Sequence, residues 1–310
     1  MKTVLITGVA GFVGRNTAQK FKKEGWKVVG LGRGSLSLNK RKKIGIDHFI
    51  KGEVNQTNLF KIKDRVEVIV HCAGSGVVSK SFDDPLKDFN DSVGSTAEVL
   101  DYMRQKQPKS KLVFTSGATV YGLQKDVPLK EDMILHPASP YGSHKIMAEN
   151  LCELYSRTYG LGVTVIRFFS LYGPGLKKQL IWDACCKLTD PSSKSAVFWG
   201  TGEETRDWFN ISDAVDLIYQ MAQIKNQFNI INAGSAVRIT LRETIMFIKN
   251  LLGSSKKIIF NGEVKVGDPR HFWADITQAS KFDWKPKISW PDGFTEYVKW
   301  YTRNFSKYDL

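Results

Sequence analysis

The sequence predicts an α/β fold: a doubly wound parallel sheet with a smaller C-terminal α/β lobe. Through the first half of the 310 residues, short apolar runs alternate with helix-like segments. These runs are apolar throughout, which is typical of strands covered by helices on both faces. After Gly173-Pro174-Gly175 the strand-like runs become shorter and the alternation less regular, which indicates the second lobe.

The elements of the sheet follow one another in a regular order. Apolar, mostly β-branched runs predict strands over Thr3–Thr7, Lys27–Gly32, His48–Glu53, Glu67–Ala73, Lys111–Thr115 and Gly162–Phe169. Helix-like spacing predicts helices over Arg15–Glu24, Pro85–Gln105 and Pro140–Tyr159. We therefore assign residues 1–169, with part of 212–234, to the first domain.

Residues 170–310 form the predicted second lobe. Its strands are predicted over Ala196–Trp199, Phe228–Ile231 and Lys257–Phe260, and its helices over Ser212–Ala222, Leu241–Leu252 and Asp292–Tyr301. The boundary is soft, because we expect the two lobes to exchange segments.

Composition indicates a globular protein. Hydrophobic residues make up 42% of the chain and charged residues 25%, enough apolar surface for a sizeable core. No run approaches the roughly 18 apolar residues of a membrane span, and the N-terminus enters a strand without a signal-like segment. We expect a cytoplasmic protein with no membrane partner. The four cysteines show no CxxC spacing, so we expect reduced thiols and no metal site.

The net charge is +14, which raises the possibility of nucleic acid binding. The lysines are spread along the chain, however, and no nucleic-acid motif appears. We therefore expect no nucleic acid partner and interpret the charge as a basic surface with a site for a phosphorylated ligand.

A glycine-rich loop follows the first predicted strand and opens a helix. Glycines at three-residue spacing let backbone N–H groups approach a pyrophosphate, and the helix N-terminus adds partial positive charge. In this position, close to the start of the chain, the pattern predicts a dinucleotide-binding (Rossmann) domain. The predicted contacts come from Gly8, Gly11, Phe12, Val13 and Gly14.

The end of the second strand bears on the choice of cofactor. Sites that prefer NAD usually place a carboxylate here to bind the ribose 2′-hydroxyl, and this sequence has none. Arg33 stands there instead, and a guanidinium matches the geometry of a 2′-phosphate. We therefore favour NADP(H), with NAD(H) as the alternative.

Tyr141 and Lys145 open the predicted helix after the fifth strand. They are four residues apart and so share one helix face. A lysine ammonium near a phenol stabilises the phenolate and lowers the pKa of the tyrosine. Such a tyrosine can exchange a proton with a carbonyl or hydroxyl group while a nicotinamide exchanges hydride.

Taken together, these motifs resemble the extended short-chain dehydrogenase/reductase family, which comprises NAD(P)-dependent nucleotide-sugar epimerases, dehydratases and reductases. The resemblance covers essentially the whole chain. Besides the glycine loop and the Tyr-Lys pair, it is carried by Gly52-Glu53-Val54, Cys72-Ala73-Gly74, Thr119-Val120-Tyr121-Gly122, Arg167 to Gly175, Gly200-Thr201-Gly202, Arg206-Asp207-Trp208, Gly267 to Arg270 and Trp284-Lys285-Pro286.

The resemblance implies ligands and residue roles. The further cofactor contacts would be Glu53, Val54, Ala73, Gly74, Phe168, Tyr141 and Lys145. The substrate, a nucleotide-diphosphate sugar, would be held by Ser79, Thr119, Ser170, Arg206, Lys265 and Arg270. The family also implies a homodimer through the Pro85–Gln105 and Tyr141–Tyr159 helices.

The sequence departs from the family at several positions. Asp91 and Ser170 each stand where the family often has asparagine, and Gly117 occupies the usual position of a catalytic Ser or Thr. Ser116 is then our candidate for the second catalytic hydroxyl, with Thr119, Thr115 or a water beside Gly117 as alternatives. Ala118-Thr119 replaces the Asp-Glu pair of 4,6-dehydratases, which argues against elimination of water.

Three functions remain open. The first is an NADP(H)-dependent reductase of a nucleotide-linked 4-keto sugar, with Tyr141 as general acid; Arg33 and the missing acidic pair favour it. The second is an NAD-dependent nucleotide-sugar epimerase that oxidises and re-reduces one carbon. The third is a cofactor-binding protein with weak or lost catalysis, suggested by the substituted positions around the site.

Overall fold

The computed structural model describes residues 1–225, 228–263 and 270–305. Its strands are β1 (Thr3–Thr7), β2 (Lys27–Gly32), β3 (His48–Lys51), β4 (Val68–His71), β5 (Lys111–Gly117), β6 (Gly162–Phe168), β7 (Ser170–Tyr172), β8 (Ser195–Phe198), β9 (Thr205–Arg206), β10 (Trp208–Asn210), β11 (Phe228–Ala233), β12 (Ile239–Thr240) and β13 (Lys257–Phe260).

The α-helices connect these strands. They are α1 (Phe12–Lys23), α2 (Leu38–Ile44), α3 (Gln56–Leu59), α4 (Val78–Asp83), α5 (Pro85–Phe89), α6 (Ser95–Lys106), α7 (Pro140–Tyr159), α8 (Gln179–Thr189), α9 (Ile211–Ala222), α10 (Leu241–Leu252), α11 (Thr277–Ser280) and α12 (Trp290–Phe305). No helix in the described ranges is long and apolar enough to cross a membrane.

The central sheet has seven strands in the order β11-β6-β5-β4-β1-β2-β3. The neighbours from β6 to β3 pair in parallel, which confirms the predicted doubly wound sheet. The strand order reverses at β1, whose neighbours are β2 on one side and β4 on the other. In open α/β sheets, ligands bind at the carboxyl ends of the strands near such a reversal. The sheet therefore predicts a site after β1, β4 and β5.

The chain forms two compact units. The first contains Met1–Leu123, Glu131–Phe168 and Ala214–Asn232, and the second contains Gln124–Lys130, Phe169–Asp213 and Ala233–Leu310. The sequence assigned residues 124–130 to the first domain. In the structure they belong to the second unit, where the Leu129 N–H donates to the Trp273 carbonyl oxygen at 2.9 Å.

A buried apolar core lies within the first unit. Leu5, Ile69, Leu112 and Val163 come from four neighbouring strands, and all are fully buried. Residues from α6 and α7 pack against them, including Val99. This core explains why the strands are apolar along their whole length.

The predicted helix Pro85–Gln105 is not continuous. The structure divides it into α5 and α6, joined by a single π-helical turn over Asn90–Gly94. Such turns insert one residue and re-aim the side chains that follow. Here the turn carries Asp91, whose carboxylate accepts hydrogen bonds from Arg33.

Within its described residues, the second unit contains three two-stranded sheets, β7 with β10, β9 with β12, and β8 with β13. The β7–β10 and β8–β13 pairs are parallel, and the β9–β12 pair is antiparallel. Tyr172, Trp208 and Phe294 pack edge-to-face in this unit, with centroids 4.9–6.4 Å apart. The prediction of short strands mixed with helices is in line with this unit, except for the strand predicted over Phe228–Ile231. That strand is β11 of the central sheet, and most of it belongs to the first unit.

Candidate active site

The loop after β1 can hold a pyrophosphate only because of its glycines. Gly8 has φ +65°, and a Cβ there would lie 2.7 Å from the backbone of Cys72 and Ala73. A Cβ on Gly14 would lie 2.4 Å from the carbonyl oxygen of Gly8. The helix α1 begins at Phe12 with no side chain capping its N-terminus. The predicted loop thus leaves backbone N–H groups available to an anion.

Arg33 lies after β2, as predicted, but its guanidinium has a partner. Both terminal nitrogens donate to the Asp91 carboxylate, at 3.0–3.3 Å. Lys87 donates to the same carboxylate at 3.1 Å. A 2′-phosphate approaching Arg33 would therefore meet the negative charge of Asp91 as well, which the prediction of NADP(H) did not include.

The predicted cofactor contacts after β3 and β4 lie on turns at the carboxyl end of the sheet. Glu53 is exposed after β3, and its carbonyl oxygen accepts from the Asn58 side chain at 2.9 Å. Val54 packs against the core. The Ala73 N–H donates to the Thr7 hydroxyl at 3.2 Å, which ties the β4 turn to the end of β1.

Gly74 lies close to Lys145. A Cβ on this residue would lie 3.7 Å from Lys145 Nζ. The nearby Ser79 is exposed in the first turn of α4. Phe168 ends β6 and is buried. The structure thus places every predicted cofactor contact in the first unit.

Tyr141 and Lys145 lie in the first two turns of α7. The Ser139 side chain caps this helix by accepting from the Gly142 N–H at 3.2 Å, and Pro140 occupies its first turn. Lys145 Nζ lies 5.7 Å from the centre of the Tyr141 ring and donates to the Thr115 carbonyl oxygen at 3.1 Å. The spacing therefore brings the pair together at the end of β5, as predicted.

The pKa of the tyrosine differs from the sequence expectation. Burial raises the pKa of Tyr141 to about 12, and the charge of Asp88 adds to this rise. Burial also lowers the pKa of Lys145, against the charge of Glu149. A phenolate loses hydration when it is buried, and this loss raises the pKa where the sequence predicted a lowered one.

Ser116 does not belong to this pair. Its hydroxyl donates to Glu149 at 2.5 Å, and Glu149 in turn forms a buried ion pair with Arg167 at 2.7 Å. Arg167 also donates to the Tyr121 hydroxyl at 3.0 Å. This geometry argues against Ser116 as the second catalytic hydroxyl, because its hydroxyl is already bonded within a buried network, and the assignment stays a prediction.

Gly117 and Thr119 lie beside Tyr141. A Cβ built on Gly117 would lie 4.0 Å from the Tyr141 phenolic oxygen and 3.7 Å from Thr119 Oγ1. Thr119 sits in a single 3₁₀ turn, Ala118–Val120, directly after β5. Among the substrate contacts implied by the resemblance, the structure thus brings Thr119 beside Tyr141.

Three other predicted substrate contacts lie in the second unit. The Ser170 N–H at the start of β7 donates to the Asp207 carbonyl oxygen at 3.0 Å. The Arg206 side chain on β9 donates to the Thr205 carbonyl oxygen at 2.8 Å. The Arg270 carbonyl oxygen accepts from the Thr205 N–H at 2.9 Å. Lys265 lies outside the described residues. The roles of all four remain predictions.

Comparison with known proteins identifies the family. The profile of the NAD dependent epimerase/dehydratase family matches residues 4–234, which is most of the chain. The chain belongs to the NAD-dependent epimerase/dehydratase family. The predicted resemblance to this group of nucleotide-sugar enzymes is confirmed, as is the Rossmann fold.

Among the relatives of this epimerase/dehydratase family member are two curated 4-epimerases. The UDP-glucuronate 4-epimerase of Thermodesulfobacterium geofontis is 29% identical, over 97% of this chain and 96% of the relative. The UDP-glucose 4-epimerase of Mycolicibacterium smegmatis is 27% identical, over 98% and 99%. The solved structure of MoeE5 with UDP-glucose and NAD is 26% identical, with a TM-score of 0.89 over 98% of this chain and 100% of that one.

These relatives overturn two predictions. The sequence favoured an NADP(H)-dependent 4-ketoreductase, but the similar curated enzymes are 4-epimerases and the similar solved structure holds NAD. The physical basis of the error is Arg33. Its charge was interpreted as available to a 2′-phosphate, whereas it is paired with Asp91.

Sequence reasoning also missed some residues around the site of this family member. Glu149 continues the four-residue spacing of Tyr141 and Lys145, which was a signal for a third residue on that face. His144, on which no prediction was made, pairs with the buried Asp88 at 2.7 Å. No local pattern indicates that pair, because its members are 56 residues apart.

Proposed function

We propose that the protein is an NAD-dependent 4-epimerase of UDP-linked sugars. The observation that carries the proposal is the pairing of Tyr141 with Lys145 at the end of β5, in a chain whose full-length relatives are UDP-sugar 4-epimerases. Ala118-Thr119 provides no acidic pair for the elimination of water, which favours epimerisation over dehydration.

The residues of the first unit fit a dinucleotide. Gly8 and Gly14 allow a backbone approach that any side chain would block, and the uncapped α1 favours a pyrophosphate. Gly74 and Lys145 would hold the nicotinamide half. NAD, when bound, supplies a hydride acceptor and donor together with a cationic nicotinamide ring.

The chemistry of the chain's own residues is proton transfer. Tyr141 takes the proton of the sugar 4-hydroxyl as the carbon is oxidised and returns it when the carbon is reduced on its other face. Tyr141 must be ionised to take this proton, so the Lys145 ammonium and the cationic nicotinamide ring would together offset the burial that raises the pKa of the phenol. Because the proton and the hydride both return to the sugar, the enzyme needs no external reductant.

The partners we propose are a UDP-linked sugar and a second copy of the chain. The relatives named above act on UDP-glucose and UDP-glucuronate, so both are substrates to be tested. Arg206 and Arg270 supply guanidinium groups suited to a diphosphate. The homodimer is proposed from the family resemblance.

The tyrosine provides the direct test. Tyr141→Phe removes one hydroxyl and keeps the ring, so we expect folding and NAD binding to survive. C4 inversion of UDP-glucose or UDP-glucuronate should fall by about 10²- to 10⁴-fold, the cost of losing a positioned acid–base group. Product formation is measured by chromatographic separation of the 4-epimers.

Tyr159→Phe is the matched control. This tyrosine ends the same helix and is half-exposed, so its hydroxyl should not affect turnover. If Tyr141→Phe retains the rate of the wild type, the mechanism is wrong. If the wild type binds NAD and both UDP-sugars but turns over neither, the alternative of lost catalysis replaces the proposal.

A further inference from the structure

Three side-chain hydroxyls, those of Thr115, Ser116 and Thr119, lie at the end of β5 and in the turn that follows. Two of them already donate hydrogen bonds within the protein. Thr115 donates to the His71 carbonyl oxygen at 2.9 Å, and Ser116 donates to Glu149. Thr119 Oγ1 is shielded from solvent and has no hydrogen-bond partner within the described parts of the chain. A buried hydroxyl without a partner is costly, so one is expected to gain a partner from a ligand or water.

Gly117 leaves a space beside this hydroxyl. A Cβ built on Gly117 would lie 3.7 Å from Thr119 Oγ1, 3.8 Å from the Phe168 carbonyl oxygen and 4.0 Å from the Tyr141 phenolic oxygen. These are ordinary contact distances, so an added atom fits there without a clash. The Thr119 hydroxyl and the Tyr141 phenol therefore border the same small polar space.

Gly142 allows the helix that carries Tyr141 to pack closely against the turn that carries Thr119. A Cβ on Gly142 would lie 2.7 Å from the Thr119 carbonyl oxygen, so glycine is what allows α7 to approach the turn. Gly142 directly follows Tyr141, and its own N–H is bonded to the Ser139 cap. The two hydroxyl-bearing residues are thus fixed relative to one another, as a preorganised site requires.

A buried hydroxyl without a partner is not by itself a site. Thr17 and Thr164 also carry such hydroxyls in the described part of the chain. Thr164 lies in β6 opposite Val113, whereas Thr119 lies beside the space that Tyr141 borders. The position of Thr119, together with its missing partner, distinguishes it from the other two.

We propose that Thr119 is a catalytic residue whose hydroxyl donates to the sugar oxygen that Tyr141 deprotonates, in place of the side chain that Gly117 lacks. The proposal rests on the proposed function, because that oxygen is the 4-hydroxyl of the UDP-sugar. As its proton moves to Tyr141, negative charge develops on the sugar oxygen, and the Thr119 hydrogen bond stabilises that charge. The Thr119 proton stays on its own oxygen.

Thr119→Val tests the role of the hydroxyl with little change in shape. NAD-loaded enzyme is mixed with UDP-glucose or UDP-glucuronate, and the nicotinamide absorbance reports oxidation of the sugar in one turnover. We expect this step and kcat to fall at least about tenfold, and up to the roughly 10²–10³-fold cost of removing one oxyanion donor. NAD affinity should be unchanged, and kcat should change more than KM.

A second variant restores a hydroxyl at the neighbouring position. Gly117 has extended backbone angles, φ −150° and ψ 155°, and room for a Cβ, so serine is tolerated there. In the Thr119→Val background, Gly117→Ser should recover much of the lost rate. Thr164→Val is the matched control, because it removes an equally buried, unpartnered hydroxyl away from Tyr141 and should leave the rate unchanged.

The outcomes separate the two proposals. Wild-type rates in Thr119→Val, with C4 inversion by the wild type intact, overturn the role of Thr119 and leave the proposed function standing. If the wild type gives the absorbance signal but no inverted sugar, the epimerase proposal is overturned. A slower signal in Thr119→Val would then still support Thr119 as the donor. If Thr164→Val loses as much rate as Thr119→Val, the loss would come from altered packing rather than from the Thr119 hydrogen bond, and the proposal would be overturned.

Discussion

At the scale of single residues, the ion pair of Arg33 with Asp91 changes which cofactor we expect the arginine to favour. Its guanidinium follows β2, where the sequence predicted recognition of a 2′-phosphate, but both terminal nitrogens are bonded to Asp91. Lys87 shares the same carboxylate. A 2′-phosphate carries nearly two negative charges at neutral pH, so the Asp91 carboxylate repels it. The same carboxylate also occupies the Arg33 guanidinium that would bind the phosphate. We therefore expect the pair to disfavour NADP(H) relative to NAD(H).

Asp91→Asn tests this account of cofactor choice. We expect the wild type to bind NADH more tightly than NADPH. In Asp91→Asn, the released Arg33 should tighten NADPH binding about tenfold, or about 1.4 kcal/mol, with little change for NADH. Nicotinamide fluorescence titration measures both. Adding Arg33→Ala to Asp91→Asn should abolish the gain.

Asp101→Asn is the control for charge alone. Asp101 is a carboxylate on α6 that pairs with Arg104 at 2.7 Å, and both side chains are partly exposed. Its loss removes the same formal charge and should leave the affinity for NADPH unchanged. An equal gain in both variants would mean that overall charge, rather than the Arg33 pair, sets the preference.

At the scale of elements, β5, β6 and α7 are tied by one buried network. Glu149 on α7 accepts from Ser116 on β5 and is paired with Arg167 on β6, and all three side chains are buried. Tyr121 donates to Asn232 at 2.6 Å and extends the network towards β11. This network fixes α7, and with it Tyr141, against the end of β5.

Glu149→Gln should loosen these elements. The substitution leaves the buried Arg167 without its counter-charge, and breaking one partner of a buried pair costs about 3–5 kcal/mol. We expect a loss of that size in the free energy of unfolding, measured by urea denaturation. Glu153→Gln on the same helix is the control, since its surface pair with Arg157, at 3.6 Å, is worth at most about 1 kcal/mol. Equal losses in the two variants would argue against a structural role for the network.

The helix α7 also shows how far local sequence predicts an element. Its bounds, Pro140–Tyr159, are those expected, because Ser139, Pro140 and Gly160 are start and stop signals that act locally. The single helix expected over Pro85–Gln105 is instead interrupted at Asn90–Gly94. The interruption contains no proline, and its one glycine, Gly94, did not by itself indicate a break in the helix.

The same distinction applies to the site. Gly8, Tyr141 and Lys145 could be placed from the sequence because loop and helix geometry determine their positions over a few residues. The orientation of Ser116 could not, because its partner Glu149 is 33 residues away. The pairing of Arg33 spans 58 residues and was equally invisible to local patterns.

At the scale of the whole molecule, the proposed epimerase is a catalyst that leaves its cofactor unchanged after each cycle. The family match and the full-length relatives support this, and the glycine loop with Tyr141 and Lys145 supplies the parts it needs. A reductase built on the same fold would consume one reduced nicotinamide for every sugar. The two chemistries are therefore distinguished by the fate of the hydrogen at C4.

The most direct measurement follows that hydrogen. UDP-glucose and UDP-glucuronate labelled with deuterium at C4 are incubated with the NAD-loaded enzyme, without added reductant, and the products are analysed by NMR and mass spectrometry. The account predicts that one of these sugars becomes its 4-epimer with the deuterium retained at C4 and the NAD content unchanged. Absence of the 4-epimer from both sugars, loss of the deuterium from C4, or stoichiometric conversion of the bound NAD to NADH would contradict it.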